Sequence, residues 1–378
     1  MRKTLSAIII FALVMPCFSS AWYVGRTYEK NVTVDYSQVS GSQTNFPLLV
    51  SLSTDANLTS CANADGSDIL FTNSSDALLS FEIEKYNSTN GKLVAWVRIP
   101  TLSNAANTTI FLYYGNASAT TLQNASGVWD ANYAAVYHLG DYNDSKGVSN
   151  GSNSGTTSTT GQIGNAKAFS GSSQYINVAS TSSVAITANM TVEAWIKPTD
   201  YANYNSIVGK TNNNYPAPYD FYMMQGTGIL NFYRGDGGST NYAFSTGTNA
   251  PPAGQWSLIA ASMGGTTVSF YTNGTANGGG PLSSIIGDAG TTLAIGSRAD
   301  HVTMFKGSID ELRLSNSARS QGWEVTRWNN EKTGSTMVVL GAQTTAPAGG
   351  GATYIPASLS LYGGRCDLFR GYSFTLTG

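Results

Sequence analysis

The sequence predicts an all-β protein, an N-terminal β-sandwich followed by a second sandwich of the jelly-roll type. Short segments rich in Val, Ile, Leu, Phe and Tyr recur along the chain, and Gly, Asn, Asp or Ser bounds each of them. Many of these segments follow one another at intervals of about 8 to 15 residues, which is typical of sandwiches and jelly rolls. Helical periodicity is limited to a short stretch from Gln321 to Lys332, behind the cap candidate Ser320.

The first block contains six predicted strands: Asn31 to Tyr36, Pro47 to Leu52, Ile69 to Thr72, Leu79 to Tyr86, Lys92 to Ile99 and Thr109 to Tyr114.

The fourth of these strands contains F-E-I-E-K-Y at residues 81–86 and presents two acids. Glu82 and Glu84 share one face because residues two apart on a strand point the same way, while Phe81 and Ile83 point to the other. Glycosidases use two carboxylates about 5 to 9.5 Å apart, so the pair is a candidate for that chemistry. The same spacing occurs in any strand with a solvated face, and Lys85 offers a neutralising charge. We therefore assign the pair to the polar face of an ordinary strand.

A second block begins near Ala134 and passes a Gly/Ser/Thr/Asn loop from Asp141 to Gly161. Its length of about 200 residues lies within the range of a single all-β domain. From Gln343, a small-residue linker leads to a tail that is too short to build its own core. The predicted strands of the block are Ala134 onward, Ala168–Phe169, Tyr175 to Val178, Met190 to Ile196, Ser206 to Lys210, Phe221 to Met224, Ile229 to Tyr233, Trp256 to Met263, Val268 to Thr272, Thr292 to Ile295 and Ser308 to Leu314.

The first residues have the layout of a secretory signal peptide. Arg2 and Lys3 precede an apolar run from Ala7 to Phe18, and small residues end at Ala21. The run is too short to span a bilayer, and no later stretch approaches the ~20 apolar residues that a membrane helix needs. We expect a secreted or cell-surface protein with no transmembrane segment in the mature chain. The predicted organisation is a signal peptide at 1–21, a first β domain at 22–130, a jelly roll at 131–342, and a linker and tail at 343–378.

The composition argues against some classes of partner. Charged residues make up 11% of the chain against a typical ~25%, and the net charge is -2. These values give no electrostatic basis for binding nucleic acid. Cys61 and Cys366 lie too far apart in sequence to suggest a metal cluster, and whether they form a disulfide stays open.

Catalytic patterns are weak elsewhere in the chain. His138 and His301 are the only histidines, and neither lies near a Gly-x-Ser-x-Gly motif. We interpret His138, in the alternating strand A-V-Y-H-L, as structural. Asp310 and Glu311 are adjacent in S-I-D-E-L-R-L, so they should point to opposite faces of a strand and cannot act together. We predict that the protein is not an enzyme.

Several motifs make the chain similar to two known families. From about Trp22 to Trp129 it carries Y-E-K-N-V-T-V-D, F-P-L-L-V-S-L, A-D-G-S-D-I-L-F-T, F-E-I-E-K-Y, G-K-L-V-A-W-V-R-I-P-T-L and T-I-F-L-Y-Y-G-N-A-S-A. In this order they resemble the domain-of-unknown-function 2341 family, which implies no activity. Y-H-L-G-D, A-K-A-F-S-G-S-S-Q-Y-I-N-V, M-T-V-E-A-W-I-K-P and G-S-I-D-E-L-R-L-S-N-S-A-R-S then resemble a laminin-G-like domain of the concanavalin A-like lectin/glucanase fold.

The second resemblance implies a module that binds glycans or surface proteins. The sequence departs from the usual forms of the family, because Ser170 stands where Asp is common and Q-W-S-L-I-A replaces the usual Trp-His-His. The Glu-x-Asp-x-Glu run of the glucanases of this fold is absent.

The loop after the Y-H-L-G-D motif suggests a structural calcium ion. Calcium takes several oxygen ligands, and this loop supplies Asp141, Asp144 and Asn150. The first and last strands of a jelly roll are commonly neighbours, which would bring Asp310 close. The alternative is a loop that holds itself by Asx turns.

Tyrosines and amides suggest where a carbohydrate would bind, because sugars stack on aromatic rings and exchange hydrogen bonds with polar groups. The alternative is that the tyrosines only edge the core of a Gly-rich sandwich. The predicted ligand-binding residues are Tyr201, Tyr204, Tyr215, Tyr219, Tyr233, Arg234 and Asp236.

Together these observations predict a non-catalytic recognition or adhesion protein that binds carbohydrate through its second domain. A structural component of an envelope, filament or virion appendage is the alternative, and a polysaccharide hydrolase ranks third.

Overall fold

The first sandwich is built from six strands and two short helices of the computed structural model, which describes residues 22–23, 25–211, 217–235, 242–282, 288 and 290–346. All six strands predicted for this block are confirmed. A 3-10 turn at Tyr36–Gln38 and the helices α1 (Ala56–Cys61) and α2 (Ala125–Val128) lie between them or follow them. The strands are β1 (Tyr28–Val34), β2 (Gln43–Leu52), β3 (Leu70–Thr72), β4 (Phe81–Asn87), β5 (Lys92–Leu102) and β6 (Thr108–Tyr114).

These strands form two antiparallel sheets. One sheet contains β1, β6 and β3, and the other has the order β2-β5-β4. Val32 and Leu112 from the first sheet and Leu48, Phe81 and Val97 from the second are fully buried in a common core. The alternation of apolar residues thus buries one face of each sheet against the other.

The second sandwich contains fifteen strands among the described residues and confirms the jelly-roll prediction. Its two sheets have the orders β19-β18-β17-β12-β21-β10-β9 and β16-β15-β14-β13-β20-β11-β8, and β7 also pairs with β21. The strands are β7 (Tyr133–Tyr137), β8 (Gly151–Ser154), β9 (Thr157–Thr160), β10 (Asn165–Ser170), β11 (Tyr175–Val178), β12 (Met190–Pro198), β13 (Asn205–Gly209), β14 (Ala217–Met223), β15 (Leu230–Gly235), β16 (Tyr242–Thr246), β17 (Ser257–Gly264), β18 (Thr267–Thr272), β19 (Thr275–Pro281), β20 (Leu293–Ile295) and β21 (Lys306–Ser315).

Four of these strands, β8, β9, β16 and β19, are missing from the sequence prediction. Each of them is an edge strand of its sheet. The first two, made of Gly, Ser, Asn and Thr, lie inside the segment that was expected to be a loop, and each joins a different sheet, with β8 next to β11 and β9 next to β10. Because their side chains stay largely exposed, they lack the apolar alternation that identifies inner strands.

The described chain returns to the first sandwich at its end. Helix α3 (Gln321–Glu331) confirms the predicted helix, and the Ser320 hydroxyl accepts a hydrogen bond from the backbone N–H of Trp323 as its N-cap. Strand β22 (Val338–Thr345) then pairs antiparallel with β1 and completes the sheet order β22-β1-β6-β3. The predicted boundary at residue 342 and the start of the predicted linker therefore lie inside this strand. No helix among the described residues is long and apolar enough to cross a membrane.

Strand β21 contains a bulge that changes which side chains face the first sandwich. Its register with β12 pairs Arg313 with Glu193 but Asp310 with Trp195, so one extra residue is accommodated around Glu311. Glu311 has a left-handed backbone, with φ 49°. Ile309, Leu312 and Leu314 consequently join the core of the second sandwich. The bulge therefore breaks the alternation from which Asp310 and Glu311 were expected to point to opposite faces, and that expectation is wrong.

Candidate functional site

A buried charged cluster centred on His138 lies where the two sandwiches meet. The imidazole Nδ1 is 2.7 Å from Oε1 of Glu311 and 3.6 Å from Oε2 of Glu84. Its Nε2 lies 3.3 Å from Oε2 of Glu82. The acids of F-E-I-E-K-Y thus meet the histidine of A-V-Y-H-L-G-D across the domain boundary.

Aromatic rings enclose the cluster. Trp96 stacks on the His138 ring at 5.7 Å between centroids, and Trp129 lies 5.6 Å from the same ring. The indole of Trp96 donates to Glu84 at 3.0 Å, and that of Trp129 donates to Glu82 at 2.9 Å. Each carboxylate is therefore held in place by an indole N–H.

Arg313 connects this cluster to helix α3. Its guanidinium lies 4.4 Å from the centroid of the Trp96 ring and pairs with Glu311 at 2.8 Å and Glu331 at 3.0 Å. Glu331 also accepts hydrogen bonds from Arg327 and from the indole of Trp195, each within 2.9 Å. The ion-pair network therefore joins α3 to the sheet of the second sandwich.

The electrostatics of the cluster follow from burial opposed by close charges. Burial lowers the pKa of His138, but Glu311 and Glu82 outweigh this effect and hold that pKa well above its ordinary value. Burial, aided by the charge of Glu311, raises the pKa of Glu84 to about 8. Burial also favours the neutral form of Glu311, but His138 and Arg313 lower its pKa to about 2. At neutral pH the cluster therefore combines ionised and protonated acids around a charged imidazole.

A pocket of about 360 Å³ lies beside these groups. Its walls come from β4, from the segment that follows β7 and from Asn165. The exposed residues Asp141 and Asn143 also line it, so the pocket reaches the protein surface.

The prediction that Glu82 and Glu84 form the polar, solvated face of an ordinary strand is wrong. Their side chains are only 14% and 6% exposed and face the second sandwich rather than solvent. Lys85 donates to Asn165, and His138 takes the place expected for a neutralising lysine. The sequence contained no signal for this contact, because it depends on how the two domains pack.

The four predicted calcium ligands do not converge on one point, because each has its own hydrogen-bond partners. Both oxygens of Asp144 accept backbone N–H groups, from Val136 and Lys146 on Oδ1 and from Val148 and Ser149 on Oδ2. The loop thus holds itself by turns, which was the stated alternative.

The other predicted ligands have separate partners. Asp141 is exposed and bonds Asn143, Asn150 accepts a hydrogen bond from the Asp144 N–H, and Asp310 accepts one from the Ile163 N–H. Calcium binding stays a prediction, and it would require Asp144 to exchange backbone partners for the ion.

Two of the predicted sugar-binding residues are core residues. Tyr219 is fully buried and donates to the carbonyl of Val184 at 2.7 Å. Arg234 is 2% exposed, and its guanidinium binds the carbonyls of the 186–188 segment. Assigning these two residues to a ligand surface was therefore wrong.

Three further predictions fall on residues that the structure does not describe or describes only in part. Tyr215, Asp236 and Cys366 lie outside the described residues, as does the predicted signal peptide. Whether Cys61 and Cys366 form a disulfide therefore stays open.

The remaining tyrosines differ in role. Tyr201 is half-buried, its hydroxyl donates to the carbonyl of Pro251, and its ring lies where any side chain at Gly228 would be. It therefore fixes a loop. Tyr204 is 41% exposed, and its ring meets that of Tyr222 edge-on at 6.0 Å.

Tyr222 lies on the outer face of the second sandwich. In β14, Tyr219, Phe221 and Met223 point into the core, so strand alternation places Asp220 and Tyr222 on the opposite face. Tyr233, the cross-strand partner of Asp220 in β15, is half-buried on the same face. Applied to P-Y-D-F-Y-M, the same alternation would have selected Tyr222 instead of Tyr219.

Polar groups form the floor beneath these rings. The Ser206 hydroxyl donates to Asp220 at 2.6 Å. Arg298 and Asp300 form a two-point ion pair, with contacts of 2.8 and 2.7 Å. Burial raises the pKa of Asp220 to about 7, although Ser206 and Arg298 oppose the shift. This face therefore combines rings with acidic, basic and hydroxyl groups.

Two family models match the chain in the predicted order. A model described as a domain of unknown function (DUF2341) matches residues 65–152. A model described as the concanavalin A-like lectin/glucanases superfamily matches residues 169–323. Both resemblances are therefore confirmed.

Several solved structures are also similar to part of the chain. Domain 4 of AbnA, a GH43 extracellular arabinanase from Geobacillus stearothermophilus, in complex with arabinotriose, is 24% identical over 53% of this chain and 99% of its own, with a TM-score of 0.44. The binding domain of Paraclostridial Mosquitocidal Protein 1 is 13% identical over 55% of this chain and 53% of its own, with a TM-score of 0.43.

The binding domain of botulinum neurotoxin serotype D is 14% identical over 52% of this chain and 51% of its own, with a TM-score of 0.41. The chain thus spans about half the length of the two toxin domains. None of the curated proteins matches the chain.

Proposed function

We propose that this protein is a secreted or cell-surface, non-catalytic recognition protein that binds carbohydrate on the outer face of its second sandwich. The contact between Tyr204 and Tyr222 carries the proposal. An exposed ring that rests on a second, largely fixed ring offers a sugar a stacking surface whose orientation is already set.

The polar floor supports the same ligand class. The partly exposed Arg298–Asp300 pair offers a donor and an acceptor near the rings, while the buried Asp220 and Ser206 bond each other beneath them. Arg298 and Asp300 pair with each other, so this pair adds no net charge that would favour a charged polymer. Neutral sugars need this combination of an aromatic platform and a few directed hydrogen bonds.

The hydrogen bonding and packing of the acids near His138 argue against the hydrolase alternative. Glu82 and Glu84 are each bound to an indole N–H and packed around His138. A glycosidase instead needs two carboxyl groups on opposite sides of a sugar, one free to transfer a proton and one free to attack or activate water. Turnover of a polysaccharide that is abolished by Glu82→Gln or Glu84→Gln would revive the hydrolase.

Export is part of the proposal, and the motif that supports it is the charged and apolar start of the sequence. Secretion of a fusion of residues 1–21 to a reporter tests it, and retention of the reporter inside the cell would contradict it.

The binding proposal is tested with a glycan array on the mature chain, followed by calorimetric titration with the best ligand. Tyr204→Ala is compared with Tyr36→Ala, because Tyr36 is a tyrosine of the first sandwich with nearly equal exposure, 43% against 41%. Binding that fails only in the Tyr204 variant supports the proposal. A chain that binds no glycan but assembles with itself would support the envelope or filament alternative.

A further inference from the structure

Carboxyl groups outnumber cations in the His138 cluster. Four carboxyl groups, those of Glu82, Glu84, Asp310 and Glu311, surround His138, while the next cation, Arg313, is shared with Glu331. Buried charges are stable only when they are paired or bind a metal. The surplus of carboxyl groups over cations leaves the cluster able to pair with one more cation.

The ligand atoms are spaced for a single ion. The Nδ1 atom of His138 and one oxygen each of Glu84 and Glu311 all lie within 4.8 Å of one another. In a tetrahedral zinc site, metal–ligand bonds of about 2.0 Å place neighbouring ligand atoms about 3.3 Å apart. The two contacts to Nδ1, at 2.7 and 3.6 Å, lie on either side of that separation.

The surrounding groups are placed as a second layer of a metal site would be. The Nε2 atom of His138 faces Glu82 at 3.3 Å, which leaves Nδ1 as the ligand atom. Trp96 holds Glu84, and Arg313 holds the second oxygen of Glu311. Orientation of a ligand histidine by a carboxylate and of ligand carboxylates by hydrogen bonds is the usual outer layer of bound metals.

Two independent observations point to an occupant. Asp310 is fully buried, and its Oδ1 has no hydrogen-bond partner among the described residues. The pocket of about 360 Å³ reaches from the surface to Glu84 and His138, so an ion and its water ligands have both room and access.

We propose that His138, Glu84 and Glu311 bind one divalent transition-metal ion of the Zn²⁺ class between the two sandwiches. One imidazole nitrogen and two carboxylate oxygens form a donor set that suits Zn²⁺ or Co²⁺ better than calcium, which prefers six or more oxygens. The ion replaces protons held by these groups, because metal binding to imidazole and carboxylate generally releases protons. By joining β4 and β7 to β21, it would lock the two sandwiches together.

The test uses the full mature chain, freed of metal with a chelator and titrated with ZnCl₂ or CoCl₂. We expect one equivalent to bind, to raise the melting temperature and, with Co²⁺, to give visible d–d absorption bands. Glu84→Gln retains the shape of the side chain but weakens the ligand, so it should lower the affinity at least tenfold. Asp200→Asn makes the same charge change at an exposed residue outside the cluster and should leave the affinity within twofold.

The Co²⁺ spectrum and Glu84→Gln carry the test, because replacing the buried His138 puts the fold itself at risk. Wild-type protein that binds neither ion at a ratio of one to one overturns the proposal. Equal affinity of wild type and Glu84→Gln also overturns it, because the ion would then bind elsewhere.

Discussion

His138, directly after β7, and Glu311, on the neighbouring strand β21, meet on the side of the second sandwich that faces the first, with Nδ1 and Oε1 2.7 Å apart, because a bulge in β21 turns Glu311 out of the core of the second sandwich. Glu311 also pairs with Arg313, so one side chain compensates two cations. The contact links the first sandwich, through Glu82 and Glu84, to the last long strand of the second.

Removing the Glu311 charge should strongly destabilise the protein. Glu311→Gln removes the carboxylate that contacts both His138 and Arg313, and breaking a buried ion pair commonly costs about 3–5 kcal/mol. Urea unfolding in the presence of a chelator measures the free energy of unfolding. Asp200→Asn, an exposed ion-pair residue, should change it by less than about 1 kcal/mol. Equal changes in the free energy of unfolding for the two substitutions would contradict the claim that the His138 cluster stabilises the fold.

Gly164 should tolerate no side chain, because a Cβ there would lie 1.9 Å from Oε1 of Glu84. Gly164→Ala therefore pushes a carboxylate that Trp96 holds in place, in addition to the cost of a left-handed backbone at φ +52°. Gly265 has a similar φ of +59° with nothing within 4 Å of its Cβ position. Gly265→Ala should cost about 1 kcal/mol, and Gly164→Ala at least about 1 kcal/mol more. Thermal melts of both variants test this difference. Equal losses of stability in the two variants would mean that the Glu84 side chain can move away at no cost.

Asp144 should matter far more for stability than Asp141, although both lie in one loop. Asp144→Asn replaces an oxygen that accepts backbone N–H groups with a donor, which should cost about 1–3 kcal/mol. Asp141→Asn should change little, because Asp141 is exposed. Repeating the melts with added calcium tests the predicted ion. A calcium-dependent rise that either substitution abolishes would favour the ion over the turn.

Asp220 should make stability fall as the pH rises from about 4 to 7. Its pKa is raised by burial from 3.8 to about 7, so between these values the folded chain keeps a proton that the unfolded chain releases. Stability is therefore lost across this window and becomes level above it, by at most about 4 kcal/mol at 1.36 kcal/mol per pKa unit.

The comparison of wild type with Asp220→Asn isolates this contribution from other titrating groups. The variant should lose that part of the pH dependence in melts between pH 4 and 8. A difference between the two proteins that stays constant with pH would contradict the assignment.

The elements that could be predicted from the sequence are those whose side chains are buried on one face. The inner strands and the Ser320-capped helix belong to this class, because apolar spacing and a capping hydroxyl are local signals. Edge strands such as Thr157–Thr160 expose most of their side chains and carry no such spacing.

The sites depended on non-local geometry. Nothing in S-I-D-E-L-R-L marks a bulge, because the left-handed position is occupied by Glu311 rather than by glycine. The partnership of Glu82 with His138 depends on domain packing, which no local pattern encodes. The choice of Tyr219 failed for a different reason, since the strand alternation around it was available in the sequence and indicated Tyr222.

Carbohydrate binding by the Tyr204–Tyr222 surface is tested most directly by calorimetric titration of wild type, Tyr204→Ala and Tyr36→Ala with the best glycan from an array. We expect Tyr204→Ala to weaken binding about tenfold, the loss of one stacking contact of about 1.4 kcal/mol. We expect Tyr36→Ala to bind like the wild type, with unchanged melting temperatures in both variants. Equal affinity of all three proteins, or no glycan bound by the wild type, would contradict the proposed function.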